Sequence, residues 1–141
     1  MEEKTGTIGR HTMIYYLDKA ENPTIPVPHD CMIESISLFN DFLILDFEQD
    51  IAIHDSVQFI CPNAKSLTIK IHLIDDIFSV YQEKIRKFPK FKKSYEEIGL
   101  DRLVSLVKQK SLAYLYHYVA YQSLIINLDA EFILYSQADY I

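Results

Sequence analysis

The residues best suited to acid–base or nucleophilic chemistry are five histidines and two cysteines, which lie far apart in the sequence. A histidine acts as a general base near neutral pH when a carboxylate fixes its tautomer. His72 has Asp75 nearby, but on the polar face of a strand an exposed histidine is the usual case. His54 and Asp55 are adjacent, so in a strand they point to opposite faces. Cys61 has no neighbouring cation to activate its thiol. We therefore predict a non-enzymatic protein with no catalytic residue, cofactor or metal; the alternative is a small hydrolase or transferase using His72 or Cys61.

The acidic residues are concentrated in a stretch that contains no cation. Between Lys19 and Lys65 there is no lysine or arginine, whereas eight acidic residues occur. Such a block is either a solvated surface or a face that steers a basic partner into contact. A metal site is a third interpretation, although the glycine and the spacing of a calcium loop are missing. We predict that five of these carboxylates bind a basic protein partner: Asp41, Asp46, Glu48, Asp50 and Asp55.

A basic block follows in residues 84–93, which hold six cations and no acid. Phe88 and Phe91 lie between these cations, an arrangement that can bind nucleic acid or an anionic membrane. Because the whole chain has a formal net charge of −6, we instead expect a solvated helix end whose charges partly neutralise the acidic face. The sequence thus predicts neither a nucleic-acid nor a membrane partner.

Length and composition indicate one globular domain. The chain has 141 residues, enough for a single core, and residues 1–11 are expected to be loose. Only three glycines occur, and none lies between Arg10 and Ile98, which disfavours a phosphate-binding loop and hence a nucleotide enzyme. Two cysteines are too few for a secreted disulfide scaffold. With no visible signal peptide, and with residues 111–128 too polar for a membrane span, we expect a cytoplasmic location.

Alternating apolar residues give the clearest structural signal, at residues 66–74, where the period is that of a half-buried strand. Residues 33–39 and 42–47 form the best hairpin candidate, because Asn40 and Asp41 tolerate the positive φ of a tight turn. Three more short strands are expected at residues 57–61, 124–128 and 132–135, the last two as a closing hairpin.

Helical spacing follows the clearest strand. Asp75 or Asp76 can cap a first helix at about 76–88, in which apolar residues fall near one face. Pro89 ends this helix, because proline cannot continue it.

A second helix is expected at about 95–110, where Ser94 and Glu97 have the spacing of a capping box. Residues 112–121 fit either a helix or a strand. The predicted fold is therefore α+β, a mainly antiparallel sheet with the two helices packed on one side.

Four tyrosines, at positions 114, 116, 118 and 121, predict a packed sheet face or, if exposed, an interface in a structural homo-oligomer. We expect a monomer or a homodimer. In size, acidity and order of elements, the strand run at residues 32–73 with its acidic loop at residues 48–55 resembles bacterial immunity proteins. That resemblance implies a protein that neutralises a cognate toxin, often a nuclease with a basic cleft, by direct binding.

Overall fold

The computed structural model describes residues 2–4, 11–48, 66–86, 89–90, 92–129 and 131–141. They form mainly β structure, so the predicted α+β fold with two helices is wrong. In chain order the strands are β1 (Glu2–Lys4), β2 (His11–Met13), β3 (Met32–Phe39), β4 (Phe42–Phe47), β5 (Thr68–Arg86), β6 (Lys92–Ile98), β7 (Leu112–Ala120), β8 (Ser123–Leu128) and β9 (Phe132–Tyr140). The described residues contain one helix, α1 (Leu100–Gln109), between β6 and β7.

Six of the strands close into an antiparallel barrel. Strands β3, β4 and β5 form one meander and β7, β8 and β9 a second; the two are joined where β5 pairs with β9 and β3 pairs with β7. Alternate side chains point inward, and the interior is filled by aliphatic residues such as Ile33, Leu45, Ile71, Ile126 and Leu134. Closing the sheet on itself gives all six strands a shared interior. The short strands β1 and β2 pair separately from the barrel.

Strand β5 occupies the region where the sequence predicted a helix at about 76–88. It pairs with β4 through its first half and with β6 through its second, while β9 pairs with both halves. The partner of β5 changes from β4 to β6 at an irregularity, where Asp75 and Asp76 both have positive φ, 52° and 56°. Aspartate tolerates this conformation as well as it caps helices. Strand pairing on both sides of β5 therefore overrides the local helical spacing.

The predicted helix at about 95–110 exists only in its later part. Ser94 and Glu97 belong to β6, so they form no capping box, and the N-cap is Gly99 without a side-chain hydrogen bond. Helix α1 packs against β3 and β5 and buries Leu103 and Val107. The helix starts later than predicted because β6, which pairs with β5, continues to Ile98.

The seam between β3 and β7 has two register pairs, and the connector before β3 reinforces it. His29 Nδ1 donates to the carbonyl of Leu115 at 2.7 Å. His117 Nε2 donates to the carbonyl of Ile25 at 2.9 Å, which leaves its Nδ1 to accept the hydroxyl of Tyr114 at 2.5 Å. These contacts attach the proline-containing connector to β7.

Candidate functional site

A row of five aromatic rings crosses the outer surface of the barrel. Phe39 is the register partner of Phe42, Phe42 of His72, and His72 of Tyr140, while Tyr16 forms an isolated bridge with Tyr140. The row thus runs over β3, β4, β5 and β9 to the segment at Tyr16. We call these five residues the aromatic row.

Four rings of the row contact one another. His72 stacks on Tyr140 with ring centroids 4.9 Å apart, and its ring lies 5.0 Å from that of Phe42. The ring of Tyr140 is 6.0 Å from that of Tyr16. The two ends of the row are the most accessible, since Phe39 is 66% exposed and Tyr16 49% exposed. Large exposed aromatic side chains in one continuous row are typical of a surface that is covered by a partner.

His72 is held in place by a carboxylate, although not by the one that the sequence suggested. Its Nδ1 lies 2.6 Å from Oδ1 of Asp139, and both side chains are about one-third exposed. Asp139 reaches His72 because the β5–β9 register shifts between His72 and Leu73. Such a pair fixes the ring orientation that stacks on Tyr140. No hydrogen bond joins His72 to a hydroxyl or thiol among the described residues, so the pair lacks a nucleophile there.

Four carboxylates belong to residues that adjoin this row or follow it closely along β5. Asp139 lies beside His72, and Asp41 adjoins Phe42 in the β3–β4 turn. The carbonyl of Asp41 accepts the backbone N–H of Leu73 at 2.8 Å, and Asp75 and Asp76 begin two residues after Leu73. Asp41 is therefore paired with the part of β5 that directly precedes these two aspartates. We call the four residues Asp41, Asp75, Asp76 and Asp139 the acidic rim.

Among the described members of the predicted partner-binding set, only Asp41 belongs to the acidic rim. Asp46 lies at the other end of β4, about 17 Å from Asp41 along an extended strand, where it accepts hydrogen bonds from Thr68 and Ser35. Glu48 follows β4 at that same end, and its Oε1 accepts the backbone N–H of Met32. The described carboxylates of the predicted set therefore do not share one patch. Asp50 and Asp55 lie outside the described residues.

The sequence missed the acidic rim because its members come from separate strand ends. In the sequence, Asp75 and Asp76 have the position of a helix cap, and Asp139 stands apart from the other acidic residues. The one available signal was the pair of adjacent aspartates directly after the clearest strand, since such pairs also favour turns and bulges. Their proximity to Asp41 follows only from the β4–β5 register.

A register shift in β7 divides the predicted tyrosine set between the two faces of the barrel. Tyr114 is fully buried, whereas Tyr116, Tyr118 and Tyr121 are exposed. The rings of Tyr116 and Tyr118 contact each other edge to face at 5.3 Å. We call these two residues the tyrosine pair.

The tyrosine pair lies apart from the aromatic row. Tyr118 is the register partner of Ile125, and Ile125 of Tyr135. Tyr135 lies five residues before Tyr140 on β9, which corresponds to about 17 Å along an extended strand. The two aromatic surfaces can therefore be tested separately.

Most of the remaining candidates for chemistry are at least partly buried or lie outside the described residues. Cys31 is fully buried just before β3, while Cys61, His54 and the predicted strand at residues 57–61 are not among the described residues. Burial lowers the pKa of His117, which sits between Tyr114 and the connector. Burial also raises the pKa of Tyr114 above its ordinary value. Both groups are therefore kept neutral, as suits a structural pair.

A small pocket opens between α1 and the barrel, where Gln82, Leu106 and Phe132 are among its lining residues. Gln82 donates to Oε1 of Glu131 at 2.9 Å, and its own Oε1 is buried with no partner among the described residues. The pocket measures about 200 Å³, which is below the roughly 300 Å³ at which ligand pockets begin. Its size suits water better than a substrate.

Within the described ranges, no three histidine, cysteine, aspartate or glutamate side chains are grouped as metal ligands. No helix in the same part of the chain has the length and apolarity needed to cross a membrane. Comparison with known proteins found no matching family model, no matching curated protein and no matching solved structure.

Proposed function

We propose that this protein is a non-enzymatic binding module that holds a basic protein partner against the aromatic row and its acidic rim. The observation that carries the proposal is the row itself, five neighbouring rings on the outside of the barrel with both ends well exposed. Aromatic side chains supply much of the affinity at the centres of protein interfaces.

The acidic rim gives the surface its preference for a basic partner. Its four carboxylates add negative charge beside the row, and complementary charge accelerates encounter and disfavours acidic proteins. Two cations border the same surface. Lys19 lies 5.8 Å from the centre of the Tyr16 ring, and Lys70 precedes His72 by two residues on the same strand face. These cations lie away from Asp41, Asp75 and Asp76, so we expect a cationic cleft or loop of the partner to approach from the side of those three aspartates.

The resemblance to bacterial immunity proteins now rests on size and acidity, because the α+β order of elements is wrong; it suggests a specific form of this function, the neutralisation of a toxin. In that form the carboxylates occupy a basic nuclease cleft in place of phosphates, while the rings anchor the complex. The cytoplasmic location expected from the sequence agrees with this role and stays a prediction.

Two other functions use different parts of the molecule. The His72–Asp139 pair has the geometry of an oriented general base, which keeps a small hydrolase or transferase as the alternative. The tyrosine pair offers a homodimer interface instead, which gel filtration at two concentrations detects. Neither alternative uses Phe39, which therefore separates them from the proposed function.

The test compares Phe39→Ala with Tyr118→Ala, two exposed aromatic truncations on different surfaces. Basic proteins are captured on the immobilised chain, identified, purified separately and titrated against each variant by calorimetry. We expect Phe39→Ala to weaken binding by about 30-fold, equivalent to a hot-spot loss of about 2 kcal/mol. Tyr118→Ala should change the dissociation constant by less than about threefold, since its ring lies outside the proposed interface.

Two results would contradict the proposal. The first is a partner whose affinity falls with Tyr118→Ala and is indifferent to Phe39→Ala, which would move the interface to the tyrosine pair. The second is a complex whose association rate does not change with ionic strength, because the acidic rim would then have no steering role.

A further inference from the structure

Strand β6 forms an open edge of the sheet. All seven of its residues, Lys92–Ile98, pair with β5, and among the described residues no strand pairs with its other side. The side chains from Lys92 to Glu97 are exposed on both faces of the strand. An open edge presents unpaired backbone N–H and C=O groups, to which a further strand can bind.

The peptide groups of three residues point out from this edge. The N–H of Glu83 on β5 donates to the carbonyl of Glu131 at 2.8 Å, on the side away from β6. Its register partner Tyr95 therefore directs its own N–H and C=O away from β5, because the two residues of an antiparallel pair exchange either both hydrogen bonds or none. This orientation alternates along a strand, so Lys93 and Glu97 share that of Tyr95. Together the three residues offer three donors and three acceptors to another strand.

The charges along β6 are self-complementary. From residue 92 the strand reads Lys-Lys-Ser-Tyr-Glu-Glu, with its cations at the start and its acids at the end. When two such strands run antiparallel, the cations of each lie opposite the acids of the other, and opposite charges across a pair stabilise a sheet. Lys92 and Lys93 belong to the basic block of residues 84–93. Because they lie in a strand, the solvated helix end expected for that block is wrong.

We propose that β6 is a dimerisation edge, which pairs antiparallel with β6 of a second copy of the chain. In a symmetric pair of this kind one central residue faces its own copy. The centre of β6 is Tyr95, so a register that pairs all seven residues places Tyr95 opposite the partner's Tyr95. Lys93 then lies opposite the partner's Glu97, and Glu97 opposite the partner's Lys93. These are the residues whose peptide groups point outward, so the same register forms the backbone hydrogen bonds.

The contacts of β6 within the chain favour this register and a second copy as the occupant. Lys93 Nζ lies 3.4 Å from Oε1 of Glu83, so the partner's Glu97 continues a row of alternating charge on that face. A register centred on Ser94 pairs only five residues of each strand and places Lys93 opposite a tyrosine. A nucleic acid, an anionic membrane or a uniformly basic peptide matches the charge of only one half of β6.

The expected dimer is weak and reversible. Seven residue pairs form a small interface, and each copy has a formal net charge of −6, so we expect a dissociation constant on the order of 10 µM. The test is sedimentation equilibrium of the full chain between about 1 and 200 µM in about 150 mM salt, which screens the net charge. Dimer formation should appear as a rise in apparent mass from that of one chain towards that of two.

The variant Tyr95→Pro blocks the edge without removing a hydrogen bond within the chain. The N–H of Tyr95 points outward, and proline is tolerated on an edge strand at such a position. Dimerisation should weaken at least about tenfold, because the central donor is lost and the proline ring occupies its place. Circular dichroism checks that the variant folds. The matched control is Tyr118→Ala in the tyrosine pair, which should leave the dissociation constant within about threefold of wild type.

Charge reversal tests the register. Lys93→Glu and Glu97→Lys each create two like-charged pairs, so each variant alone should dimerise at least about tenfold more weakly. Mixing the two variants pairs opposite charges again at both positions, so the mixture should associate within about threefold of wild type. Lys108→Glu, at an exposed position of α1, is the charge-matched control for Lys93→Glu and should change the dissociation constant by less than about threefold.

Four results would overturn the inference. They are a wild-type chain that stays monomeric over the whole concentration range, a dimer that folded Tyr95→Pro retains, a mixture of the two charge variants that does not associate, and loss of the dimer with Tyr118→Ala instead. The charge variants decide the question if Tyr95→Pro does not fold. Strand β6 contains no residue of the aromatic row or the acidic rim, so failure of this inference leaves the proposed protein-binding function standing.

Discussion

Replacing Tyr114 by phenylalanine tests whether the hydrogen bonds that reinforce the β3–β7 seam stabilise the barrel. Tyr114 is fully buried and donates to Nδ1 of His117, whose Nε2 is committed to the Ile25 carbonyl. Tyr114→Phe keeps the ring, which packs 5.9 Å from that of Phe47, and removes only the donor. A half-buried imidazole nitrogen then loses its partner.

The expected loss is about 1–2 kcal/mol, because an abandoned buried acceptor loses its hydrogen bond without regaining water. For a chain of this length 1 kcal/mol corresponds to about 3 °C in Tm, so the melting temperature should fall by about 3–6 °C. Urea unfolding followed by circular dichroism at about pH 8, where histidine is neutral, gives the free energy of unfolding directly.

A double-mutant cycle with His117→Leu isolates the pair. In the His117→Leu background, Tyr114→Phe should lower the free energy of unfolding by less than half of the amount by which it lowers that of the wild-type protein. A Tyr114→Phe variant within about 0.5 kcal/mol of wild type would refute the reasoning, as would equal costs in the two backgrounds. Either result would mean that the connector is attached to β7 by other contacts.

Two further predictions concern pH and the irregularity in β5. Burial lowers the pKa of His117 below its ordinary value of 6.5, so the unfolded chain binds the proton more tightly than the folded protein does. Neutral His117 therefore makes its full contribution to the free energy of unfolding above pH 6.5. That contribution is lost as the pH falls towards and through the pKa of His117 in the folded protein. Urea midpoints measured from about pH 8 down to about pH 5 should drop more steeply for wild type than for His117→Gln, and parallel curves would contradict this. Asp76 has a φ of 56°, so Asp76→Val should cost about 1–3 kcal/mol while Asp76→Gly stays within about 1 kcal/mol of wild type. Thermal melts in which the glycine variant is the less stable of the two would contradict the positive φ at this position.

The parts of the fold that depend on neighbouring residues could be predicted from the sequence. Asn40 and Asp41 have positive φ values of 49° and 65°, so the two-residue turn between β3 and β4 is confirmed, and the closing hairpin of β8 and β9 is confirmed as well. The strand predicted at residues 66–74 is confirmed from Thr68 onward, within β5. Each of these elements owes its conformation to a local period or to turn residues.

Features set by long-range pairing could not be predicted. The pair Asp75 and Asp76 fits a helix N-cap and a bulge equally well, and only the pairing of β5 with β4, β6 and β9 decides between them. Similarly, the register shift in β7 places Tyr114 inside and Tyr116 outside, although both fit one alternating pattern.

The candidate site is not contained in one stretch of sequence. The aromatic row takes its rings from four strands and the segment at Tyr16, so its continuity is a property of the strand register. Asp139 reaches His72 across 67 positions in the chain because of a shift in the β5–β9 pairing. The acidic block in the sequence groups Asp46 and Glu48 with Asp41 as partner-binding residues, because a linear block does not show which end of a strand each residue occupies.

The most direct test of the proposed interface is an NMR titration of the isotope-labelled protein with its purified basic partner. If the partner covers the aromatic row, the largest amide shift changes should fall in residues 39–42, 72–76 and 138–140 and at Tyr16. The largest changes at Tyr116 and Tyr118, with the row unperturbed, would contradict that interface.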